Sequence, residues 1–465
     1  MSGELHHHDT DGGNAPMNSV ITTLPLPKVL WVPLTSAGKN ARLLVKKGDK
    51  VSAGATLAVA GDDGADICAP AAGRIGEINM RPLAATHTKN AACLMLECEK
   101  AGGDFISHVP LSDVKPQNAD PRPILKAGGI VGLGGGGYPA WRKWRRGLRL
   151  MIVNAVEGDP HISCDVALLK EQGQSAVNAA KRTGQRLSAE KTLLAITTQC
   201  ALPLQDSGET KISRVACNYG ISGERPLITH LTNRQIPPSV NPQDEGIICF
   251  NLATVLAMDD CFEHGAPLLG RIITVRRGDS SLSLCVPFGA ALSDVASFWG
   301  APPTACRVGG LSAEVYLPPQ AVVWGGSNAL DLGACQQPKR QTAPCIRCGD
   351  CLPVCPAKLS PQRLYALSLD GKDATMQEER LTDCVECRRC DDVCPSNIPL
   401  TEIFRAAKRR TKTDKAKKLL SDKWRLLHEA HLAREQKPQT THTINEKTAT
   451  DAARKKALEK LRNLC

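Results

Sequence analysis

Residues 345–356 read CIRCGDCLPVCP, and residues 384–395 read CVECRRCDDVCP. Each run has the form C-x2-C-x2-C-x3-C-P, the spacing by which thiolates hold four-iron–four-sulfur clusters. Two intervening residues let successive sulfurs of a short loop reach different irons on one face of a cubane. The fourth cysteine stands one helical turn further on and reaches the neighbouring cluster. The spacing therefore assigns Cys345, Cys348, Cys351 and Cys394 to a first cluster, and Cys384, Cys387, Cys390 and Cys355 to a second. Zinc knuckles would use paired CxxC units with histidine alternatives, and disulfides do not fit a chain with this look of a reducing compartment. A helical two-cluster domain that moves single electrons is the first expectation.

The other twelve of the 20 cysteines are scattered singly, as at Cys68, Cys200, Cys249 and Cys306, and read as small buried hydrophobes. The 465 residues leave room for about three domains. Hydrophobic residues at 42% and charged residues at 23% exclude a chain disordered throughout. Mean hydropathy is −0.20 and no run of eighteen apolar residues occurs, so membrane contact is expected to be peripheral or through a partner. No basic stretch followed by an apolar run opens the chain, so no signal peptide is expected. Aromatic residues at 3% argue against stacking platforms for nucleic acid. The net charge of +11 is concentrated, since residues 401–465 hold 18 Lys and Arg against 8 Asp and Glu and supply +10 of it. Such a tail reads as a solvated segment or as a docking surface for an acidic partner or anionic membrane.

Residues 1–24 are polar, with His6, His7 and His8 in a row, and read as a disordered tail rather than a metal site. Short alternating segments over 25–105, from "VLWVPL" to "DICAPAAGRIGEI", have the turns of a barrel-sandwich hybrid (lipoyl-like) module. Carriers of that class present a modified lysine; "AGDDGADICAP" has none, so the module is structural. Over 106–268, strand-like "LMIVNAV" and "TLLAITT" alternate with helical stretches such as 165–182, the pattern of an α/β domain. Residues 269–335 read as a small β-grasp-like (SLBB) module, 336–410 as a two-cluster ferredoxin-like domain, and 411–465 as a basic tail. Leu419, Leu420, Trp424 and Leu427 recur at helical spacing in that tail. The expected fold class is thus a multidomain α/β and β protein.

Gly132-Leu133-Gly134-Gly135-Gly136-Gly137-Tyr138-Pro139 precedes an expected helix containing Lys143 and the strand "LMIVNAV". Glycines there let backbone N–H groups close on a phosphate, and a following helix adds its dipole. The run matches neither the dinucleotide GxGxxG nor the GK[ST] ending of a P-loop. A phosphate-bearing flavin fits for a redox reason. Nicotinamides deliver a hydride and cubanes accept one electron at a time, so a converter must stand between them. Glu157 and Asp159 follow the next strand, and read either as a solvated turn or as acids that orient a polar substrate.

The glycine loop through Lys143, "NAVEGDP", Tyr219-Gly220 with Gly223-Glu224, "FNLAT" and the double cysteine run occur in that order. Together they resemble the C subunit of the Rnf/Rsx electron transport complex, over residues 25–410. The central part is similar to the NADH-binding flavoprotein subunit of respiratory complex I. The resemblance implies non-covalent FMN held by Gly132, Gly134, Gly135 and Gly137, with NADH stacking on it. Lys143 then stabilises flavin phosphate or reduced-flavin charge. Asn154 and Glu157 lie against flavin and nicotinamide nucleotide, Glu224 is the second acidic position, and Asn251 and Thr254 stand beside the flavin phosphate. Glu157 and Lys143 are the residues expected to act in the reaction.

The chain departs from the family pattern at Gly136, Tyr138, Ala140, Asp159 and Ala167, which bears on nucleotide affinity rather than on the flavin loop. The implied role is NADH oxidation on the cytoplasmic face of a bacterial inner membrane. Electrons would pass through FMN and two clusters towards ferredoxin or flavodoxin and to partner membrane and iron-sulfur subunits, in an ion-translocating complex. A soluble reductase of the cobalamin-reductase type and a cluster-bearing relay adaptor are the alternatives.

Overall fold

The computed structural model describes residues 20–37, 41–85, 90–106, 120–159, 162–198, 200–216, 220–237, 240–302, 306–309, 315–332, 341–435 and 455. The histidine run and Tyr219 lie outside them. The chain divides into two compact units, Met1–Gln341 and Thr342–Cys465.

The centre of the first unit is a four-stranded, all-parallel sheet. Its order is Thr210–Val215, Lys191–Thr197, Leu150–Ala155, Ile247–Asn251. Successive strand residues point to opposite faces, and both faces are covered, so the strands read as continuous apolar runs. Met151, Val153, Leu194, Ile196, Ile248 and Phe250 enter the core on one face. Ile152, Ala195, Ile247 and Cys249 enter that on the other, against Leu227 and Ile228 of the Glu224–Thr232 helix. The single helix expected over 165–182 is two, Cys164–Gln172 and Gln174–Arg186. Gly173 separates them at φ +53°, a conformation that L side chains rarely adopt.

The N-terminal module pairs the sheet Val29–Pro33, Asn90–Cys98, Gly73–Pro82, Lys50–Val51 with the smaller sheet Arg42–Leu43, Thr56–Val59, Ile67–Cys68. A six-stranded sheet follows, built mainly from Gly270–Arg277, Ser280–Pro287 and three short strands ending at Ala329–Asp331. One of its edge strands is Ile21–Thr23, parallel to Ser280–Pro287 with Ile21 opposite Ser283. This corrects the expected disordered tail at its C-terminal end, since residues 21–23 complete a sheet edge over 250 positions away, a pairing no local pattern announces. The two β regions also share one core, in which Leu30, Leu57, Leu94 and Leu96 pack with Ile273, Val275, Leu284 and Val286. The join is tight at Gly289 (φ +89°), where a Cβ would stand 2.7 Å from the Trp31 backbone.

In the second unit the core is Leu359, Leu364, Met376, Leu381, Leu400, Phe404 and Ala407. Leu400–Glu435 is a single 36-residue helix, running through the expected boundary at residues 410 and 411. Its first turns bury Phe404 and Ala407, whereas Leu419, Leu420, Trp424 and Leu427 are exposed.

Candidate functional site

The glycine loop is closed on itself. Gly132 N donates to the Tyr138 carbonyl at 2.7 Å, and Gly137 N to the Gly132 carbonyl at 3.0 Å. Gly135 and Gly137 have φ of +99° and +57°. Some of its glycines lack room for a side chain, since a Cβ on Gly137 would come within 2.4 Å of the Trp324 ring, and one on Gly134 within 3.2 Å of Asn251 Cβ. Backbone amides are therefore what the loop offers to a ligand, as an anion cradle requires. Ala140–Lys143 after it is only four residues long.

The loop is tied to the helix Leu252–His264. Leu133 N donates to Thr254 Oγ1 at 2.9 Å. Asn251 caps that helix, its Oδ1 accepting from Ala253 N at 3.0 Å while its Nδ2 donates to Asp165 Oδ2 at 2.7 Å. Lys143 Nζ donates to Glu224 Oε1 and to the Cys249 carbonyl, both at 3.0 Å. Asn154 is held at both ends, donating to the Ser222 carbonyl at 2.8 Å and accepting from Val156 N at 3.0 Å. The structure thus brings the glycine loop, Asn251 and Thr254 together, pairs Lys143 with Glu224, and sets Asn154 opposite Asn251 in adjacent strands.

Glu157 lies deeper than a solvated turn would. It is 9% exposed, and its Oε1 accepts from Asp165 N at 2.7 Å, at the start of the helix Cys164–Gln172. Burial, then the Asp165 charge, push its carboxyl up to about 8, with Asp159 adding to the rise. Burial also raises Asp165, to about 6, against the opposing pull of the Asn251 amide and the Arg271 guanidinium. Arg271 is itself buried, donates to the Gly325 carbonyl at 2.5 Å, and has its pKa lowered by that burial. Scattered thiols such as Cys68, Cys164 and Cys249 are pushed up to about 12 by burial, so they stay neutral as packing groups.

Arg271, Trp324 and Asn328 were absent from the sequence-level site. All three come from the six-stranded β region or its connections, and only the glycine-rich "WGGSN" at residues 324–328 signals close backbone approach.

In the second unit two small cavities carry the cysteines. One is lined by Cys345, Cys348, Cys351 and Cys394. The other is lined by Cys355, Cys384, Cys387 and Cys390. The runs fold alike: Arg347 and Glu386, Gly349 and Arg388, and Lys358 and Asn397 occupy matching positions, and all six have positive φ. Five of the six are not glycine, a strain kept where the surroundings over-determine it. The long helix anchors the second loop. Lys408 Nζ reaches the Cys384 carbonyl and, at 3.0 Å, Glu386 Oε1; Arg405 pairs with Glu386 at 2.8 Å and with Glu402. Four thiols around a void fit a cubane, and the glycine cradle fits a phosphate.

Residues 125–260 match the model of the Nuo51 FMN-binding domain, 8–101 that of the RnfC barrel sandwich hybrid domain, and 341–398 that of a 4Fe-4S dicluster domain. The C subunit of the ion-translocating oxidoreductase complex of Rhodobacter capsulatus is 30% identical over 432 residues, covering 87% of this chain and 81% of that protein. This chain belongs to the RnfC family. The Pseudomonas aeruginosa member is 31% identical over 89% of this chain and 56% of its own length, and the Serratia proteamaculans member 30% over 95% and 64%. Among solved structures, an NAD+-reducing [NiFe]-hydrogenase in the H2-reduced state aligns with a TM-score of 0.40 and 18% identity, over 65% of this chain and 62% of that one. Family membership carries with it FMN and iron-sulfur clusters as cofactors, and an oxidoreductase role in an assembly of several subunits.

Proposed function

We propose that this chain oxidises NADH as a peripheral subunit of an ion-translocating electron transport complex, and passes the electrons towards ferredoxin or flavodoxin through partner iron-sulfur subunits. What carries the reading is a glycine-rich cradle and two four-cysteine cavities on one polypeptide. FMN, when bound, supplies exchange between hydride and single-electron chemistry.

The chain's own residues have these parts. Gly132, Gly134, Gly135 and Gly137 present amides to the flavin phosphate, and Thr254 and Asn251 hold that loop on its helix. Lys143 supplies a positive charge already steered by Glu224. Asn154 keeps the end of the central strand in place beside the pocket. Glu157 is a buried acid that holds the start of the helix Cys164–Gln172 and would act on the nucleotide more than on the flavin. The cysteines take the two clusters as the cavities group them, Cys345, Cys348, Cys351 and Cys394 apart from Cys355, Cys384, Cys387 and Cys390. The β region at 269–335 is read as an SLBB-like module.

No described helix is long and apolar enough to cross a membrane. Contact through the basic helix at the cytoplasmic face of the inner membrane suits the exposed Leu420 and Trp424 among lysines. Reconstituting the chain anaerobically with FMN and iron and sulfide, then assaying NADH–ferricyanide turnover, tests the reading. FMN-dependent turnover supports it. A chain loaded with flavin and clusters yet inert to NADH sinks it in favour of a relay adaptor.

A further inference from the structure

The third turn of the helix Leu400–Glu435 brings a charge onto the second cysteine loop. Lys408 Nζ donates to the Cys384 carbonyl at 2.5 Å and to Glu386 Oε1 at 3.0 Å. Glu386 Oε2 in turn accepts from Arg405 Nε at 2.8 Å. Arg405 also pairs with Glu402, which Arg388 meets at 2.8 Å. Asp391 stands on the same loop, its Oδ1 accepting from Thr401 N at 2.9 Å. The Lys408 and Glu386 side chains are 21% and 20% exposed, so water and salt screen their charges weakly.

The first loop has no such pair. Each cavity is lined by one arginine, Arg347 in the first and Arg388 in the second. Arg347 occupies the position that matches Glu386, is exposed, and makes no ion pair among the described residues. Leu400 lines the first cavity, whereas Lys408 is eight residues further on, about 12 Å along the helix.

A fixed charge beside a group that gains one electron, with no bond made or broken, shifts that group's potential. A cation favours the reduced form and an anion the oxidised form, and the effect falls with distance. Lys408 and Glu386 therefore bear on one cysteine loop with opposite signs.

We propose that Lys408 sets the reduction potential of the cluster held by Cys355, Cys384, Cys387 and Cys390, keeping it high against the pull of Glu386. The inference rests on the cluster reading above. It gives the proximal part of the long helix a redox role, separate from any docking by its distal part.

The test is a potentiometric titration of the reconstituted full-length chain, followed by electron paramagnetic resonance, with iron content measured for each variant. Lys408→Gln removes the charge and keeps a donor. It should lower one midpoint so that the reduced-to-oxidised ratio at a fixed potential falls about tenfold, which is about 59 mV for one electron. Glu386→Gln should raise that same midpoint, and Lys408→Arg should hold it near the parent value. The other cluster should move by less than half as much in every variant. The wave that moves should be the one lost in Cys387→Ala. Unchanged midpoints, shifts of one sign in both glutamine variants, or movement of the wave lost in Cys348→Ala would overturn the inference. If Lys408→Gln takes up no iron, the sign of the Glu386→Gln shift decides alone. A parent chain that takes up no cluster would overturn the cluster reading itself, and this inference with it.

Discussion

The Thr254 hydroxyl accepts a hydrogen bond from Leu133 N at 2.9 Å, although the two residues are 121 positions apart. Thr254 is buried, so this bond ties the second residue of the glycine loop to the first turn of the helix Leu252–His264 inside the protein. The loop owes its shape to that bond and to the internal bonds between Gly132, Gly137 and Tyr138.

Thr254→Val keeps the shape of the side chain and leaves Leu133 N without its acceptor. An unsatisfied buried donor costs about 1–3 kcal/mol. The expected outcome is a lower melting temperature for the apo chain and a faster FMN off-rate. Unchanged flavin retention would show that the loop is shaped elsewhere.

Glu157 makes stability depend on pH with a definite sign. An unfolded glutamate titrates near ~4.3, and burial and Asp165 raise the folded value to about 8. The folded state therefore holds the proton more tightly. Its contribution is fully present below the unfolded pKa and is lost as pH rises through about 8. Thermal melts of the apo chain from acid to mildly alkaline pH should show this loss, and Glu157→Gln should flatten it. In the loaded chain the same variant should weaken NADH turnover while FMN content stays near that of the parent.

Lys143 and Glu224 are both partly solvent-accessible, so their ion pair adds little to stability. Lys143→Met should then leave melting nearly unchanged and lower FMN affinity, with most of the loss at low salt. Glu224→Gln frees the ammonium and should tighten FMN or leave it as it is. A fall in FMN affinity on losing Glu224 would assign that carboxylate to the flavin.

The exposed Leu420 and Trp424 stand on one face of a helix whose first turns belong to the cluster core. Leu420→Glu with Trp424→Glu should preserve NADH–ferricyanide activity and reduce retention on isolated membranes. Equal retention, also at raised salt, would count against docking by this face.

The grouping of the eight cysteines into two sets was legible because their spacing decides which thiols converge, and the α/β domain because strand-like and helical stretches alternate. Gly134 and Thr254 were legible only through resemblance. Trp324 and Asn328 were not, since they reach the loop from a turn that meets it only in the folded chain. The strand Ile21–Thr23 was hidden for the same reason: three residues carry no periodicity, and their partner at Ser283 is remote. Burial of Glu157 could not be foreseen from "NAVEGDP", where a Gly-Asp pair suggests a wet turn.

The central claim is that hydride acceptance and single-electron exit occupy separable parts of the chain. Cys348→Ala removes one thiol from the cavity that it lines with Cys345, Cys351 and Cys394. Mixing this variant anaerobically with NADH, with flavin absorbance and electron delivery to a ferredoxin followed together, tests the claim most directly. The account predicts that flavin is still bleached at the parent rate while delivery to the ferredoxin slows greatly. Delivery at the parent rate from a variant shown by iron analysis to lack that cluster would contradict it, as would loss of flavin reduction with FMN still bound.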